Sequence, residues 1–226
     1  MKIPILYEDN HLLFVEKPVN IPVQEDRTKN PDLLSLLKED LKIRYQKPGN
    51  VYLALVHRLD RPVGGVMVFS KTSKAASRLS DAIRRNDINK KYLAVVRGRP
   101  PKDSDVLEDY LVKNRRKNIV STASPHQKKA KKAVMEYEVI GEKKGLSLLS
   151  IQLHTGRPHQ IRVQLSSRNC PLYGDQKYGQ EVNQAGQQIA LWSQTLAIEH
   201  PTKKEETTIK SKPPNEYPWN LWKVTS

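Results

Sequence analysis

The sequence has one cysteine, no long apolar run and no apolar leader. The lone Cys170 excludes an internal disulfide and a cysteine-rich zinc site. The longest purely apolar run covers residues 51–56, whereas a membrane-spanning helix needs about 20 apolar residues. A secretory leader needs an uninterrupted apolar stretch, but Glu8, Asp9 and Glu16 interrupt the start of this chain. We therefore expect a cytoplasmic protein without a membrane segment.

Several signatures of enzyme chemistry are also absent. The chain has no Gly-x-x-x-x-Gly-Lys phosphate loop, no Gly-x-Gly-x-x-Gly dinucleotide fingerprint and no serine-hydrolase elbow. The histidines at positions 57, 154 and 159 have neither a cysteine partner nor regular ligand spacing, so we expect no metal site. What remains is a lone acid among arginines, aromatic residues and a basic surface.

Positive charge is concentrated in one part of the chain. The 226 residues include 39 Lys and Arg against 24 Asp and Glu, a net charge of +15, and most of the excess lies in residues 71–132. Such a balance favours a polyanionic partner, with nucleic acid the leading candidate, although a basic run can also be a solvated, mobile face. Residues 113–132 contain no acidic residue and eight basic ones: Lys113, Arg115, Arg116, Lys117, Lys128, Lys129, Lys131 and Lys132.

The apolar pattern predicts an α+β protein with a mixed, mainly antiparallel central sheet flanked by helices and loops. No repeat or low-complexity linker interrupts it, so we expect residues 1–226 to form a single domain. Helices are expected with N-caps at Asn30, ahead of Pro31, and at Ser73, and a third helix is expected to begin at Pro158. Strands are expected over residues 6–16, 51–57, 65–70, 92–96, 133–140, 146–153, 188–198 and 207–210.

A polar turn packed with charge follows the strand expected at 51–57. Asp60 stands between Arg58 and Arg61, directly after His57, and two glycines close the turn. Turns at strand ends often carry catalytic side chains, and neighbouring guanidinium groups would hold a carboxylate ionised. The alternative is a structural ion pair in a tight turn.

A second polar segment lies at residues 153–162. A glycine turn leads to Pro158 and a helix in which Arg162 and His159, three residues apart, would share a face. This pattern is typical of a helix N-terminus that binds phosphate.

Four blocks in this order resemble the RluA-type pseudouridine synthase family. They are YEDNHLLFVEKP at 7–18, HRLDR at 57–61, KKYLAVVRG at 90–98 and TGRPHQIR at 155–162, and PLYGDQKYG at 171–179 extends the likeness. The resemblance covers roughly residues 5–215, and ordered motifs are more specific than any single one. The chain departs from the family pattern in two places. Residues 63–65 are Val-Gly-Gly where the family commonly has Thr-Ser-Gly, and residues 190–193 are Ala-Leu-Trp-Ser where it has Leu-His-Ala.

The resemblance implies an RNA uridine isomerase with its cleft across the sheet. Asp60 would be the catalytic carboxylate and Arg162 would pair with it. Tyr92 would pack on the target base, with its hydroxyl available for proton transfer at the carbon that gains the sugar. Attack on the sugar, attack on the base and removal of a ribose proton all remain open as the first step. The net reaction moves no electrons and needs no group donor, so no cofactor is expected. Further residues implied to hold substrate or RNA are His57, Arg58, Arg61, Arg157, His159 and Gln160, of which His159 and Gln160 could instead only support the loop.

The same resemblance implies a partner and leaves alternatives. The RNA could be ribosomal or transfer RNA, bound as a stem-loop by a monomer with no protein partner. Because the first motif begins almost at Met1, no amino-terminal RNA-binding module is expected, and residues 113–132 would contact phosphates. A non-catalytic RNA-binding or ribosome-assembly protein on the same scaffold is the main alternative. A metal-dependent nuclease is a remote one because carboxylate clusters are scarce.

Overall fold

Residues 1–26 and 30–224 are described by a computed structural model, in which the chain divides into two units. The first unit comprises Met1–Ile88 with Thr195–Ser211, and the second comprises Asn89–Gln194 with Lys212–Ser226. Both contain antiparallel strands and helices, which confirms the predicted α+β class. No helix of the described residues has the length and apolar character needed to cross a membrane.

The first unit contains strands that pair with antiparallel neighbours and two helices. Strand β2 pairs with β1 on one side and with β4 on the other, β3 adds to β4, and β11 pairs with the last part of β10. The elements are β1 (Ile5–Glu8), β2 (Leu12–Lys17), α1 (Leu33–Arg44), β3 (Ala54–Leu55), β4 (Gly64–Ser70), α2 (Ser73–Arg84), β10 (Leu191–Glu199, from Thr195 onward) and β11 (Glu206–Lys210).

The second unit contains a five-stranded antiparallel sheet in the order β5-β9-β8-β6-β7. A short helix follows its strand β9, and a 3-10 turn lies near the end of the chain. The elements are β5 (Asn89–Arg97), β6 (Ser104–Asn114), β7 (Ile119–Ala123), β8 (Lys131–Lys143), β9 (Leu146–Leu153), α3 (Gln160–Ser166) and the 3-10 helix Trp219–Leu221.

Alternating apolar side chains build the core of the first unit. Phe14 of β2 lies opposite Val68 of β4, and both side chains are at most 1% exposed. Leu79 of α2 packs into the same cluster, which therefore joins helix to sheet. Both faces of β2 and β4 are buried, so a slip of one residue would exchange two differently packed sets of core side chains.

The expected strand over residues 6–16 is in fact two strands. Oδ1 of Asp9 accepts hydrogen bonds from the backbone N–H groups of His11 and Leu12, at 2.8 and 2.7 Å, and so closes a turn between β1 and β2. Likewise, only Ala54–Leu55 of the expected strand 51–57 pairs with a neighbour. Side-chain capping and missing strand partners explain both differences.

Helix starts also differ from prediction by one or two residues. The N-cap of α1 is Asp32, whose side chain accepts a hydrogen bond from the Ser35 N–H, and the N-cap of α2 is Thr72. Helix α3 begins at Gln160 instead of Pro158 because His159 is left-handed, with φ 53°. His159 and Arg162 therefore do not share a helical face, contrary to the sequence interpretation.

Pattern analysis missed β6 and β7, although it anticipated the hairpin of β8 and β9. In β6 and β7 the buried residues, such as Leu111 and Val120, stand among many charged or polar ones. Too few apolar positions alternate there for the pattern to stand out. The basic segment 113–132 lies in this region and comprises the end of β6, the turn, β7, the connection to β8 and the first two residues of β8.

The substitution Gly174→Ala should lower the free energy of unfolding by roughly 2 kcal/mol or more. Gly174 has φ +75°, and an added Cβ would overlap the carbonyl oxygen of Gln188 and lie 2.9 Å from the Ile189 nitrogen. Gly186→Ala is the matched control, since φ is +86° there but no atom lies within 4 Å. It should cost only about 1 kcal/mol. Urea denaturation would measure both, and equal losses would contradict the steric argument.

Candidate active site

Asp60 lies in a tight turn just before β4. The backbone N–H of Val63 donates to the carbonyl of Asp60 at 3.0 Å, and the Asp60 side chain is partly buried. Gly65, the second residue of β4, has φ 113°, a conformation that favours glycine. The Val-Gly-Gly sequence after the turn is therefore compatible with a sharp entry into the strand, although it lacks the hydroxyl groups of the family pattern.

A buried lysine donates hydrogen bonds to the backbone of this turn. Lys17, at the end of β2, is 0% exposed, and its Nζ donates to the carbonyls of Pro18, Arg61 and Val63 at 2.9, 2.9 and 2.7 Å. Three acceptors match the three hydrogens of an ammonium group. Burial lowers the pKa of Lys17 to about 7, while the negative charge of Asp60 acts in the opposite direction and raises it. Lys17 thus couples the first motif to the Asp60 turn.

The other charged residues of the turn differ in their surroundings. Arg58 is exposed. Arg61 Nε donates to the carbonyl of Asn20 at 3.1 Å, and its Nη1 lies 3.7 Å from Asp26. His57 Nε2 accepts the backbone N–H of Val68 at 3.1 Å, so this nitrogen supports β4. Arg58 and Arg61 are both exposed, and the RNA-contacting roles of His57, Arg58 and Arg61 stay predictions.

In the second unit, Tyr92 lies within β5 and pairs in register with Ile151 of β9. Its side chain is 8% exposed. Burial of this kind suits either a core tyrosine or an aromatic platform at the edge of a binding site. The stacking role implied by the resemblance stays a prediction.

Arg162 forms a buried ion pair with Asp175. Nε and Nη2 of Arg162 each donate to one carboxylate oxygen at 2.8 Å, and the guanidinium carbon lies 5.1 Å from the ring centroid of Tyr178. Burial raises the pKa of Asp175, but the Arg162 guanidinium and the N–H groups of Lys177 and Tyr178 outweigh it and hold that pKa below its ordinary value. The pair fixes the plane of the guanidinium.

His159 is oriented by the same tyrosine. The hydroxyl of Tyr178 accepts the backbone N–H of Val120 at 2.9 Å and lies 2.6 Å from Nδ1 of His159. The phenol can accept from Val120 and donate to Nδ1, which would leave the ring proton of neutral His159 on Nε2. His159 is thus held against the strand β7.

Gln160 braces the loop before α3. Its side chain is 3% exposed, its Oε1 accepts from the Thr155 hydroxyl at 2.7 Å and from the Arg157 N–H at 3.0 Å, and its Nε2 donates to the Val134 carbonyl. These contacts support the interpretation of Gln160 as a loop support. Arg157 Nε donates to the carbonyl of Lys132 at 2.8 Å, which ties the loop to the start of β8.

The basic segment 113–132 forms an exposed surface of the second unit. All eight of its Lys and Arg residues are exposed. Lys132 pairs with Glu108 at 2.8 Å. Within residues 1–26 and 30–224, the other seven side chains form no ion pair, so their charges are uncompensated. A surface of this kind attracts a polyanion.

The predicted residues therefore fall into two groups. Asp60 and its neighbours belong to the first unit, whereas Tyr92, Arg162, the 153–162 loop and the basic segment belong to the second. The pairing of Asp60 with Arg162 stays a prediction. No group of three or more His, Cys, Asp or Glu residues in the described part of the chain is arranged to hold a metal ion.

Sequence reasoning did not identify three residues that organise these groups. Lys17, Asp175 and Tyr178 lie inside blocks that carry the family resemblance, but no role was assigned to them. One signal was available for Lys17, which follows the apolar run Leu12–Val15 by two residues and ends β2. A charged residue that closes a buried strand needs acceptors nearby.

The chain is similar to known RNA pseudouridine synthases. The model of the RNA pseudouridylate synthase family matches residues 11–167. A ribosomal large subunit pseudouridine synthase C from Buchnera aphidicola subsp. Baizongia pistaciae is 35% identical over 77% of this chain and 53% of its own length. An uncharacterized RNA pseudouridine synthase, YjbO of Bacillus subtilis, is 32% identical over 94% of this chain and 73% of its own.

A solved structure agrees in fold. The human RNA pseudouridylate synthase domain containing 4 protein superimposes with a TM-score of 0.78 at 24% identity, covering 93% of this chain and 88% of that one. The chain spans about half to two thirds of the length of the ribosomal large-subunit relatives that it matches.

Lys17→Met should destabilise the Asp60 turn, because three backbone carbonyls lose their donor. We expect a loss of about 2 kcal/mol in the free energy of unfolding and faster hydrogen exchange of the Val63 amide. Lys42→Met, at an exposed position of α1, is the control and should change neither quantity. Unchanged exchange at Val63 in the Lys17 variant would contradict the role of Lys17.

Asp175→Asn should cost about 3–5 kcal/mol at pH 7, because it removes the buried carboxylate charge that accepts two hydrogen bonds from the Arg162 guanidinium. The folded-state pKa of Asp175 lies below the unfolded one, so its contribution to stability is complete above about pH 4 and is lost as the pH falls through the folded pKa. The gap between wild type and variant should therefore narrow in acid.

Urea denaturation at a series of pH values would follow this gap. Asp81→Asn, which removes the carboxylate of an exposed ion pair with Arg84, is the matched control and should lower stability much less. A gap that stays constant down to the most acidic pH would contradict the assigned titration.

Proposed function

Because the chain belongs to the RNA pseudouridylate synthase family, we propose that it converts uridine in RNA into pseudouridine. The observation that carries this proposal is the family match over residues 11–167, which includes Asp60, Tyr92 and Arg162. In this isomerisation the bond between ribose C1′ and base N1 breaks, and a new bond forms between C1′ and C5. The proton leaves C5 and N1 gains one, so no electrons or groups are exchanged with a cofactor.

Asp60 is the proposed catalytic residue. Lys17 supports its turn through three carbonyls, so the carboxylate is presented from a fixed backbone. A fixed carboxylate suits chemistry at the sugar or at the base, because reacting groups must be aligned within fractions of an ångström. Arg162 is proposed to pair with Asp60 and keep it charged, and its own orientation is set by Asp175 and Tyr178.

Tyr92 and Arg58 are proposed to hold the target nucleotide. A base inside a duplex must be extruded before its glycosidic bond can be attacked, and an aromatic ring recovers part of the lost stacking. The buried, sheet-borne position of Tyr92 makes it a rigid platform. Arg58, exposed beside Asp60, would hold the backbone of the flipped uridine, and His57, Arg61, His159 and Gln160 would support the two loops.

The proposed partner is structured RNA, with ribosomal RNA as the first candidate because relatives are named ribosomal large subunit pseudouridine synthases. Transfer RNA is the other candidate. The seven uncompensated cations of the basic segment would contact phosphates without reading sequence. We further propose that the two units act as one catalytic domain, as a monomer in the cytoplasm, where the RNA is made.

A non-catalytic RNA-binding protein is the alternative function. It is favoured by one observation, namely that all eight Lys and Arg residues of the basic segment are exposed, and this exposure does not depend on Asp60. The two functions differ in what Asp60 must do, and so they can be separated by substitution.

Asp60→Asn should abolish isomerisation and leave RNA binding within about threefold of wild type, because only the ionised carboxylate is lost. The assay is tritium release from [5-³H]uridine-labelled ribosomal RNA of a strain that lacks the gene, with labelled transfer RNA as a parallel arm. Carbodiimide mapping of the same RNA would locate the modified uridine. Full tritium release by Asp60→Asn would contradict the catalytic assignment, and an identical map in parent and deletion strains would contradict the activity.

Charge reversal at Lys128, Lys129 and Lys131 should have the opposite effect. We expect weaker RNA binding. The slope of log Kd against log salt concentration should also fall by about 2, because each of the three lost phosphate contacts removes about 0.7 from it for a single strand. Tritium release at saturating RNA should persist. Lys132 stays unchanged because it pairs with Glu108. An unaltered salt slope would show that the segment is only a solvated face.

A further inference from the structure

Lys90 is a buried lysine that the roles proposed above do not use. It lies in β5 two residues before Tyr92, and both residues are 8% exposed. Alternate residues of a strand project from the same face, so the two side chains share one face of the sheet. Lys91, between them, is exposed on the other face.

The charge of Lys90 has no counterion. In the described ranges, 1–26 and 30–224, its Nζ forms neither a hydrogen bond nor an ion pair with any residue. Burial lowers the pKa of Lys90, and the positive charge of Arg157 lowers it further. Arg157 also lacks an acidic partner in this part of the protein, and its one side-chain hydrogen bond goes to the carbonyl of Lys132. Two cations with no acid between them are costly to bury unless an anion joins them.

The loop 154–157 brings these cations together and keeps them reachable. Lys91 pairs with Gln152 of β9, and β9 ends at Leu153, so the loop begins beside Lys90. Gly156 is exposed, and a Cβ added there would lie 3.4 Å from Nζ of Lys90. The absence of a side chain at Gly156 therefore leaves Nζ open to a ligand from solvent.

We infer that Lys90 and Arg157 form a site for one phosphate group of the bound RNA, next to the face of β5 that carries Tyr92. This inference rests on the proposed function, since it names the group that would lie beside the flipped uridine. Lys90 would contribute a point charge and Arg157 a planar donor, and both suit a phosphodiester. Such a site is more selective than the exposed segment, because the buried ammonium of Lys90 has already lost most of its contact with water.

The first test uses inorganic phosphate and no RNA, so it does not depend on the proposed reaction. In chloride buffer, Lys90→Met should raise Tm by about 2 °C or more, because it removes an uncompensated buried charge. About 50 mM phosphate, at matched ionic strength, should raise the Tm of wild type by about 2–4 °C and that of Lys90→Met by much less. A lower Tm for Lys90→Met in chloride, or equal phosphate shifts in both proteins, would overturn the site.

The second test uses the same labelled ribosomal RNA as the tritium assay. Lys90→Met should weaken RNA binding by about fivefold to thirtyfold and lower the salt slope by about 0.7, the value for one phosphate. Lys91→Met removes the same charge from the opposite face and is the control, for which we expect less than about a twofold change. If both variants lose the same RNA affinity, the loss reflects only the change in net charge, and the inference is overturned. Loss of tritium release in wild type with an intact phosphate shift would instead overturn the proposed reaction alone.

Discussion

Buried charge holds both groups of candidate-site residues in position. Beneath the Asp60 turn, the ammonium of Lys17 reaches three carbonyls, of which two belong to residues more than 40 positions away in the chain. Beside α3, the carboxylate of Asp175 receives two hydrogen bonds from Arg162. Isolated buried charges are costly, so each fixes its surroundings in the one arrangement that satisfies it. The geometry of the polar loops depends on these two contacts.

The Lys17 contact also explains how a turn can carry Asp60, the proposed catalytic residue. A turn can expose a carboxylate such as Asp60 while its backbone stays anchored, and the anchor is provided by a side chain from another element. The sheet supplies a different kind of rigidity. Tyr92 is held on β5 by pairing with β9, which suits a platform for an extruded base.

The positive charge of the protein serves two purposes in this view. In the proposed function, the exposed segment 113–132 would provide long-range attraction for RNA, which is screened by salt. Lys90 is buried, so an anion bound to it would interact in a medium of lower dielectric constant and would be held more strongly. The affinity for the substrate and its placement would then depend on different cations.

Sequence alone determined the class of fold, the family and the identity of the candidate residues, because ordered motifs such as HRLDR keep their order along the chain whatever the packing. It also located the hairpin of β8 and β9, whose apolar alternation is regular. It misplaced helix starts by one or two residues, because capping by Asp32 or a left-handed His159 depends on local side-chain geometry. Only the tertiary structure decided that Lys17 meets Val63, that Arg162 meets Asp175, and that Lys90 lies beside Gly156 without a counterion. Contacts of this kind join residues distant in sequence, and the energy of a buried charge is set by the atoms that packing brings around it.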